Sequence, residues 1–345
     1  MSFKTFDLAH DVASIQSAIN EVVALSSSLF TTGSGDANVK NYNNIASGTA
    51  SATLGGYWQT IYDSSPLSPL ATPLVDLTFG FASSSIYNVI SPVGSLSASL
   101  NEKVKVYRQI ANVLLGSPDQ TFTFASASQL QCFFFMVKRG LMKDELKKGS
   151  VQLMLSSSVN GMVTASDAAA VTNFKQTVGG DFAPLVYNGQ EVGQVWYNAG
   201  IIVVAATGTG IPWTAGEAWS GSLALSASNS VTGTMRDLSI DDNVDGLRAH
   251  IQKIGFHNQT NLYSTIYFCR ATNAEFNYSS NPTFLDSSTK RILVTSGSNV
   301  LQTRAYVTTI GLYDANDNLL AVGKLNKPLT KSPDNEQIFR IRLDY

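Results

Sequence analysis

The chain has 345 residues, 44% of them hydrophobic, which is enough for one large domain or two ordinary ones with a real core. Charged residues make up only 14% of it, against about 25% in an average globular protein, and Ser, Thr, Asn, Gln and Gly fill the gap. A net charge of −2 leaves no electrostatic footprint for nucleic acid, and the most apolar run, Ile201–Ala206, falls far short of the roughly 20 residues of a spanning helix, so neither nucleic acid nor membrane is an expected partner.

Exposed charge is what keeps soluble proteins apart, so a surface poor in it suits permanent assembly with copies or companions. The N-terminal sequence Met-Ser-Phe-Lys-Thr-Phe-Asp shows no charged segment followed by an apolar one. No secretory signal is therefore expected, and a reducing, cytoplasm-like compartment is. Cys132 and Cys269 each sit in an apolar run and read as buried free thiols rather than a disulfide pair.

Residues 7–25 are predicted as an N-terminal amphipathic helix. Asp7 or Asp11 would cap it, with Val12, Ile15, Ile19, Val22 and Val23 on one face at three- and four-residue spacing. That stripe must be buried, either on the chain's own domain or on a partner. Residues 26–56 are Ser-, Thr-, Gly- and Asn-rich and read as a long loop or an arm that settles on neighbours. Pro66, Pro69 and Pro73 then punctuate an irregular stretch that ends in a strand, Leu74–Phe79.

The strongest predicted helix covers residues 101–115, with Asn101 as cap, Glu102 in the first turn, and Gly116 and Pro118 as the stop. Val104, Tyr107, Ile110, Ala111, Leu114 and Leu115 give it a broad apolar face, as expected of a helix laid on a sheet. Cys132–Val137, with three phenylalanines, reads as a buried strand, and alternation at Val151, Leu153 and Leu155 as another. Residues 194–197 and 201–206 flank Asn198-Ala-Gly200 as a hairpin.

Strand-length segments follow at 265–270, 291–295, 305–313, 319–324 and 338–343, with Asp314–Asn318 as a polar turn between two of them. No repeat of fixed period is present. The expected fold is α+β and predominantly β, with antiparallel, sandwich-like sheets, the N-terminal helix and one helix packed on a sheet. Three regions are expected: an N-terminal helix and arm over 1–56, a central α+β body over 57–250, and a C-terminal β region over 251–345, separate from the body or continuous with it.

Chemistry-bearing patterns are few. None of His10, His250 and His257 is paired with a nucleophile elbow, and neither cysteine has a near His or Cys to form a metal clip. Gly208-Thr-Gly210 is followed by Ile-Pro-Trp, which is no phosphate cradle. Lys143-Asp-Glu-Leu-Lys-Lys148 reads as a solvated face, its acids offsetting the lysines.

Asp241, Asn243 and Asp245, followed by Gly246, match the first half of a calcium loop, but the twelfth position is Gln252 in place of the bidentate carboxylate. The segment reads either as a weak Ca²⁺ site or as a polar loop shaped by Asp and Gly turn chemistry. No cofactor and no catalytic residue is expected. The interface candidates are Val12, Ile15, Ile19 and Val22 near the N-terminus and Tyr306 and Ile310 in a Thr-rich strand whose edge is suited to pairing.

Several longer segments carry a resemblance. They are Phe256–Arg270, Glu275-Phe-Asn-Tyr-Ser-Ser-Asn-Pro-Thr-Phe284, Tyr306–Tyr313, Leu320–Pro328 and the closing Arg340-Ile-Arg-Leu-Asp-Tyr345, with Trp58–Tyr62, Leu77–Gly80 and Lys143–Ser150 upstream. This text resembles virion structural proteins of contractile-tailed bacteriophages, notably those infecting marine cyanobacteria. The resemblance implies a non-enzymatic particle component, assembled in the host cytoplasm and residing in the virion. Its expected place is the tail or baseplate, or alternatively the neck or capsid. Its partners would be other virion proteins and copies of itself in an oligomer or ring.

Two other classes compete with this one. A receptor- or carbohydrate-binding tail module would use Trp58, Trp196, Trp213 or Trp219 as sugar platforms, whereas core packing explains each tryptophan more simply. An enzyme such as a depolymerase would need paired carboxylates meeting in a cleft.

Overall fold

The computed structural model describes residues 4–30, 38–42, 57–82, 98–124, 126–157, 161–206, 239–279, 281–291 and 304–345. In chain order the first elements are β1 (Val12–Ser26), α1 (Ser27–Phe30), β2 (Val39–Tyr42), β3 (Trp58–Tyr62), β4 (Pro73–Phe81) and α2 (Ala98–Leu115). Next come β5 (Phe122–Phe124), β6 (Ala127–Gln129), β7 (Gln131–Val137), α3 (Arg139–Met142), β8 (Glu145–Leu146), β9 (Gln152–Ser157) and β10 (Gly161–Ser166). Then follow β11 (Lys175–Thr177), β12 (Gly180–Tyr187), β13 (Gln190–Trp196), β14 (Ile201–Ala205) and α4 (Ile240–His250). The last are β15 (Ile251–Ala271), β16 (Ala305–Tyr313), β17 (Leu319–Lys331) and β18 (Gln337–Asp344).

The architecture is predominantly β and antiparallel, with four helices among the described residues. The chain divides into two compact units, a body of Ile19–Thr260 and a second unit of Met1–Ala18 with Asn261–Tyr345, here called the C-terminal unit.

The body is organised by one antiparallel sheet in the order β9-β10-β12-β13-β14-β7-β4-β3-β2; β8 and the first part of β15 also belong to it. Its middle strands are apolar at nearly every position. Phe133, Phe134 and Phe135 are all fully buried, as are Val75, Leu77 and Phe79 opposite them. Such continuous runs belong to strands covered on both faces, and helices supply the cover.

On one face, Gln59 lies in register with Leu77 and so with Phe135, and its side chain meets Asp245 and Arg248 of α4. On the other face, Phe134 and Phe122 meet Tyr107 of α2 edge-on, and Phe122 packs in turn on Trp196. The close seat of α2 depends on Gly80, where a Cβ would come within 3.0 Å of Tyr107. Each fully buried aromatic or branched side chain contributes about 1.5–3 kcal/mol, and the body holds dozens of buried apolar residues in one contiguous cluster.

Several expected elements are present. Helix α2 buries Tyr107, Ile110, Ala111 and Leu114 and ends at Gly116, whose φ of +85° is a conformation glycine adopts freely. It starts at Ala98, three residues before the expected cap, so Asn101 lies within the helix. Leu153 and Leu155 of β9, with Val151 just before it, are buried on the alternating face read from the sequence. The β13–β14 hairpin turns at Gly200 (φ +67°), where any Cβ would strike the Met142 sulfur. Predicted strand 291–295 after its first residue, residues 208–213, Trp219 and most of the 26–56 arm lie outside the described residues.

The predicted N-terminal helix is wrong: residues 12–26 form strand β1, paired with β15. The Asp7 signal does start a turn, with His10 and Asp11 donating to the Asp7 carbonyl, but the chain extends directly afterwards. Val12, Ile15, Ile19, Val22 and Val23 are all β-branched, so each loses χ1 freedom in a helix and fits a pleated surface better. Extended backbone also lets β1 take ladder hydrogen bonds from β15, which outweighs a helical stripe with nothing to pack on. Ile15, Ile19 and Val23 fall on one side of the strand, and Val12 and Val22 on the other.

In the C-terminal unit, the end of β15 pairs with β18 from Ser264↔Asp344 to Ala271↔Gln337, and β16 pairs with β17. The N-terminal segment is fastened here: Phe6 packs on Tyr267, the Asp11 carboxylate meets Arg270 at 2.9 Å, and Lys4 meets Glu275 at 2.8 Å. Strand β18 alternates half-buried and exposed along its whole length, as a strand with one covered face does. Gly311 carries the ring of Tyr313 over its bare Cα, and a Cβ there would come within 2.8 Å of that ring.

Candidate functional site

The acidic segment that resembles a calcium loop in sequence is a helix. Ser239 caps α4, with its hydroxyl accepting from the Asp242 N–H and the Asp242 carboxylate accepting from the Ser239 N–H, which forms a capping box. On a helix, positions 241, 243 and 245 do not share one face. Each is used differently: Asp241 sits in the first turn, the Asn243 amide donates to the Ser239 carbonyl, and Asp245 accepts from Gln59 and Arg248. Arg248 is almost wholly buried and also donates through Nε and Nη2 to the Phe30 carbonyl, so this cluster ties α1, β3 and α4 together. The Ser239-x-x-Asp242 spacing is the signal that identifies the helix.

The histidines are engaged structurally. His250 Nδ1 lies 2.7 Å from the Ser156 carbonyl while Ser156 Oγ donates to the His250 carbonyl, so this Ser–His pair is not poised as a nucleophile and its base. His257 lies in β15, its N–H donating to Ser150 Oγ, and His10 meets Asp7 at 2.7 Å. Lys148, expected on a solvated face, lies over the Phe174 ring at 3.7 Å and pairs with Asp181.

Two buried carboxylates hold strands and turns in place. Asp167 accepts from the Gly149 and Val151 N–H groups and the Tyr197 hydroxyl; burial raises its pKa, while those bonds lower it. Asp76 accepts from Thr60 Oγ1 at 2.6 Å and from Lys138. No group of three or more His, Cys, Asp or Glu side chains able to hold a metal ion occurs among the described residues. Cys132 and Cys269 are free thiols, both held protonated chiefly by burial. Trp196 is a core residue stacked on Phe182 with its Nε1–H donating to Thr177, while Trp58 is 37% exposed.

The interface candidates are placed differently from the chemical ones. Ile15, Ile19 and Val22 project from β1 into solvent and Tyr306 does so from β16, whereas Val12 and Ile310 are half-buried. They belong to a wider set. On ordered strands of the C-terminal unit, Tyr306, Tyr313, Leu319, Leu320, Val322 and Ile338 are each about half exposed or more. In the body, Leu67 is 95% and Leu70 85% exposed on the loop between β3 and β4, within the stretch whose prolines predict only irregular chain.

No helix among the described residues is long and apolar enough to cross a membrane. Comparison of the chain with protein-family models, with curated proteins and with solved structures gave no match.

Proposed function

We propose that the chain is a structural subunit of a tailed-bacteriophage particle, in the tail or baseplate, that works through protein–protein surfaces rather than through an active site. One observation carries this reading most: the strands of the C-terminal unit are paired and hydrogen-bonded yet hold apolar side chains out to water. Isolated apolar residues on a surface are ordinary, but a series of them along paired strands whose outer edges meet no further strand among the described residues fits a site where other chains add. The low charge of the whole sequence fits the same reading, as does the resemblance of its C-terminal third to virion proteins. Buried carboxylates that bond to backbone N–H groups, as Asp167 does, serve the fold and need no substrate to explain them.

The test is compositional. Particles purified from a lysate of the phage carrying this sequence are expected to contain the chain in stoichiometric amount by quantitative mass spectrometry. Its absence from washed particles, or recovery of the free chain with catalytic turnover, would overturn the reading. Deleting residues 1–56 is a poor probe, because it removes buried Leu25 and Phe30 and the carbonyl that Arg248 binds. Point substitutions on exposed side chains leave the fold in place and are the proper tool.

A further inference from the structure

Among the described residues of the C-terminal unit, the buried apolar side chains are Ile266, Ala271, Ala305 and Leu312. A core that small is commonly reinforced by a covalent staple. A disulfide within the unit cannot serve, since Cys269 is its one cysteine and is a free thiol. The same unit nevertheless buries a lysine completely: Lys331, at the end of β17, is 0% exposed. Its Nζ donates to Asn277 Oδ1 at 2.7 Å and to the Ser332 carbonyl at 2.8 Å, and among the described residues no Asp or Glu carboxylate pairs with it. Lysine is almost never fully buried without an opposite charge, because its ammonium gives up water and gains no ion in return.

Both partners are held in place. Phe276, with a φ of +55°, turns the chain just before Asn277, and Asn277 Nδ2 donates to the Asn273 carbonyl at 2.6 Å. That bond fixes the carboxamide with its oxygen toward Nζ, and Cγ lies one C=O bond, about 1.2 Å, behind the oxygen. On the other side, the Ser332 N–H donates to Asn335 Oδ1 and Asn335 Nδ2 to the Thr330 carbonyl, which clamps the backbone around Lys331. An amine and a carbonyl carbon held in contact behave as an intramolecular pair, and a lysine shielded from water is a nucleophile that proteins use against carbonyl carbon.

We propose that Lys331 and Asn277 condense in the folded chain into an isopeptide bond between Nζ and Cγ. Nζ releases one proton and attacks Cγ, so that a C–N bond forms. The Cγ–Nδ2 bond then breaks, and Nδ2 leaves as ammonia with a second proton from Nζ. Once the ammonia takes up the first proton, the products are a neutral secondary amide and an ammonium ion. Nothing is oxidised or reduced, and no co-reactant enters. The amide keeps one N–H for the Ser332 carbonyl, and the unpaired charge is gone from the interior. The bond ties the loop after β15 to the end of β17, where Lys331 stands opposite Ala305 of β16. It closes a loop across 54 positions of sequence, and a covalent closure of that kind restricts the unfolded chain. It involves no second chain and does not rest on the assembly reading.

The experiment is mass spectrometry of the full chain, purified folded and then denatured. Wild type is expected to be lighter than its sequence by one ammonia. Trypsin should then release a branched product in which the peptide 271–290 is joined to 325–340, uncut after Lys331. Lys331→Arg and Asn277→Ala should each regain the missing mass and yield the linear peptides. Wild type at its full sequence mass overturns the proposal. So does a missing ammonia that maps to the Asn188-Gly189 turn, where ring closure to a succinimide sheds the same mass, while 271–290 is recovered linear. Either variant retaining the branched product overturns it as well.

Discussion

Strands β7 of the body and β17 of the C-terminal unit draw on similar residue types and end in opposite conditions. In β7, Cys132 through Phe135 are fully buried between α2 and α4, and the neighbouring strands add Val75, Leu77, Ile202 and Val203 to the same cluster. In β17, Leu319, Leu320 and Val322 are each at least half exposed, although the strand is paired with β16 along most of its length, with two register shifts where β7 and β4 have none. Backbone pairing alone does not decide where a strand's stability comes from. The body has two helices to cover its sheet, whereas among the described residues the strands of the C-terminal unit have no such helix and hold apolar side chains out to water.

Substitutions in the body break this comparison most visibly. Trp196→Ala removes a ring packed against Phe122 and Phe182 and is expected to cost roughly 3–5 kcal/mol in urea unfolding. A cost near zero would mean that the body is not the packed core described. Tyr107→Phe is next. Its hydroxyl donates to the Gln129 carbonyl and accepts from the Phe122 N–H, both buried, so its loss should cost about 1–3 kcal/mol without changing the near-ultraviolet spectrum of the tryptophans.

Asp167 gives the body a signature in pH. Burial, the largest influence, raises its pKa above the ordinary 3.8. As pH rises through that value the unfolded chain ionises first, and the stability tied to the protonated native carboxyl is lost until the folded group ionises as well. Asp167→Asn should flatten that part of the stability profile measured by thermal unfolding; an unchanged slope would assign it to another group.

Smaller effects are expected outside the body. Leu320→Ser with Val322→Ser should alter the unfolding of the isolated chain by less than about 0.5 kcal/mol while reducing incorporation into particles. A large loss of monomer stability would show that these side chains are already buried at home. The smallest effect concerns the fastening of the N-terminus. The Glu275 carboxyl is held down to about 2, first by its bond from Lys4, so this exposed tie holds above the ordinary value of 4.5 and is lost as pH falls from there toward 2. Amide exchange at residues 4–8 should quicken over that range, and Glu275→Gln should abolish the pH dependence.

Much of the body is legible in its sequence because local and tertiary signals agree there. The phenylalanine run of β7, the alternation before β9, the Gly200 turn and the apolar face of α2 each satisfy propensity and burial together. Two segments mislead because periodicity is ambiguous when charges and caps are sparse. Residues 12–25 place apolar side chains at helical spacing, yet all five key residues are β-branched and the partner strand lies more than 200 residues later in the chain. The stretch from Asp241 offers turn-like residues, and the capping box at Ser239 decides for helix. The exposure of Leu67 and Leu70 is hidden in the sequence because prolines mark a loop without telling how its turns aim their leucines. A calcium site does not assemble from residues 241, 243 and 245, since on a helix Asn243, two residues from each of the others, faces away from Asp241 and Asp245.

Carbene footprinting of the free chain and of intact particles tests the central claim most directly. The account predicts that Phe133, Phe134 and Phe135 of β7 and Tyr107, Ala111 and Leu114 of α2 stay unlabelled in both, while Tyr306, Leu320, Val322 and Ile338 label strongly in the free chain and lose most of that labelling in the particle. Equal labelling of these four residues in both states would contradict it, because the apolar strands would then have no partner to cover them.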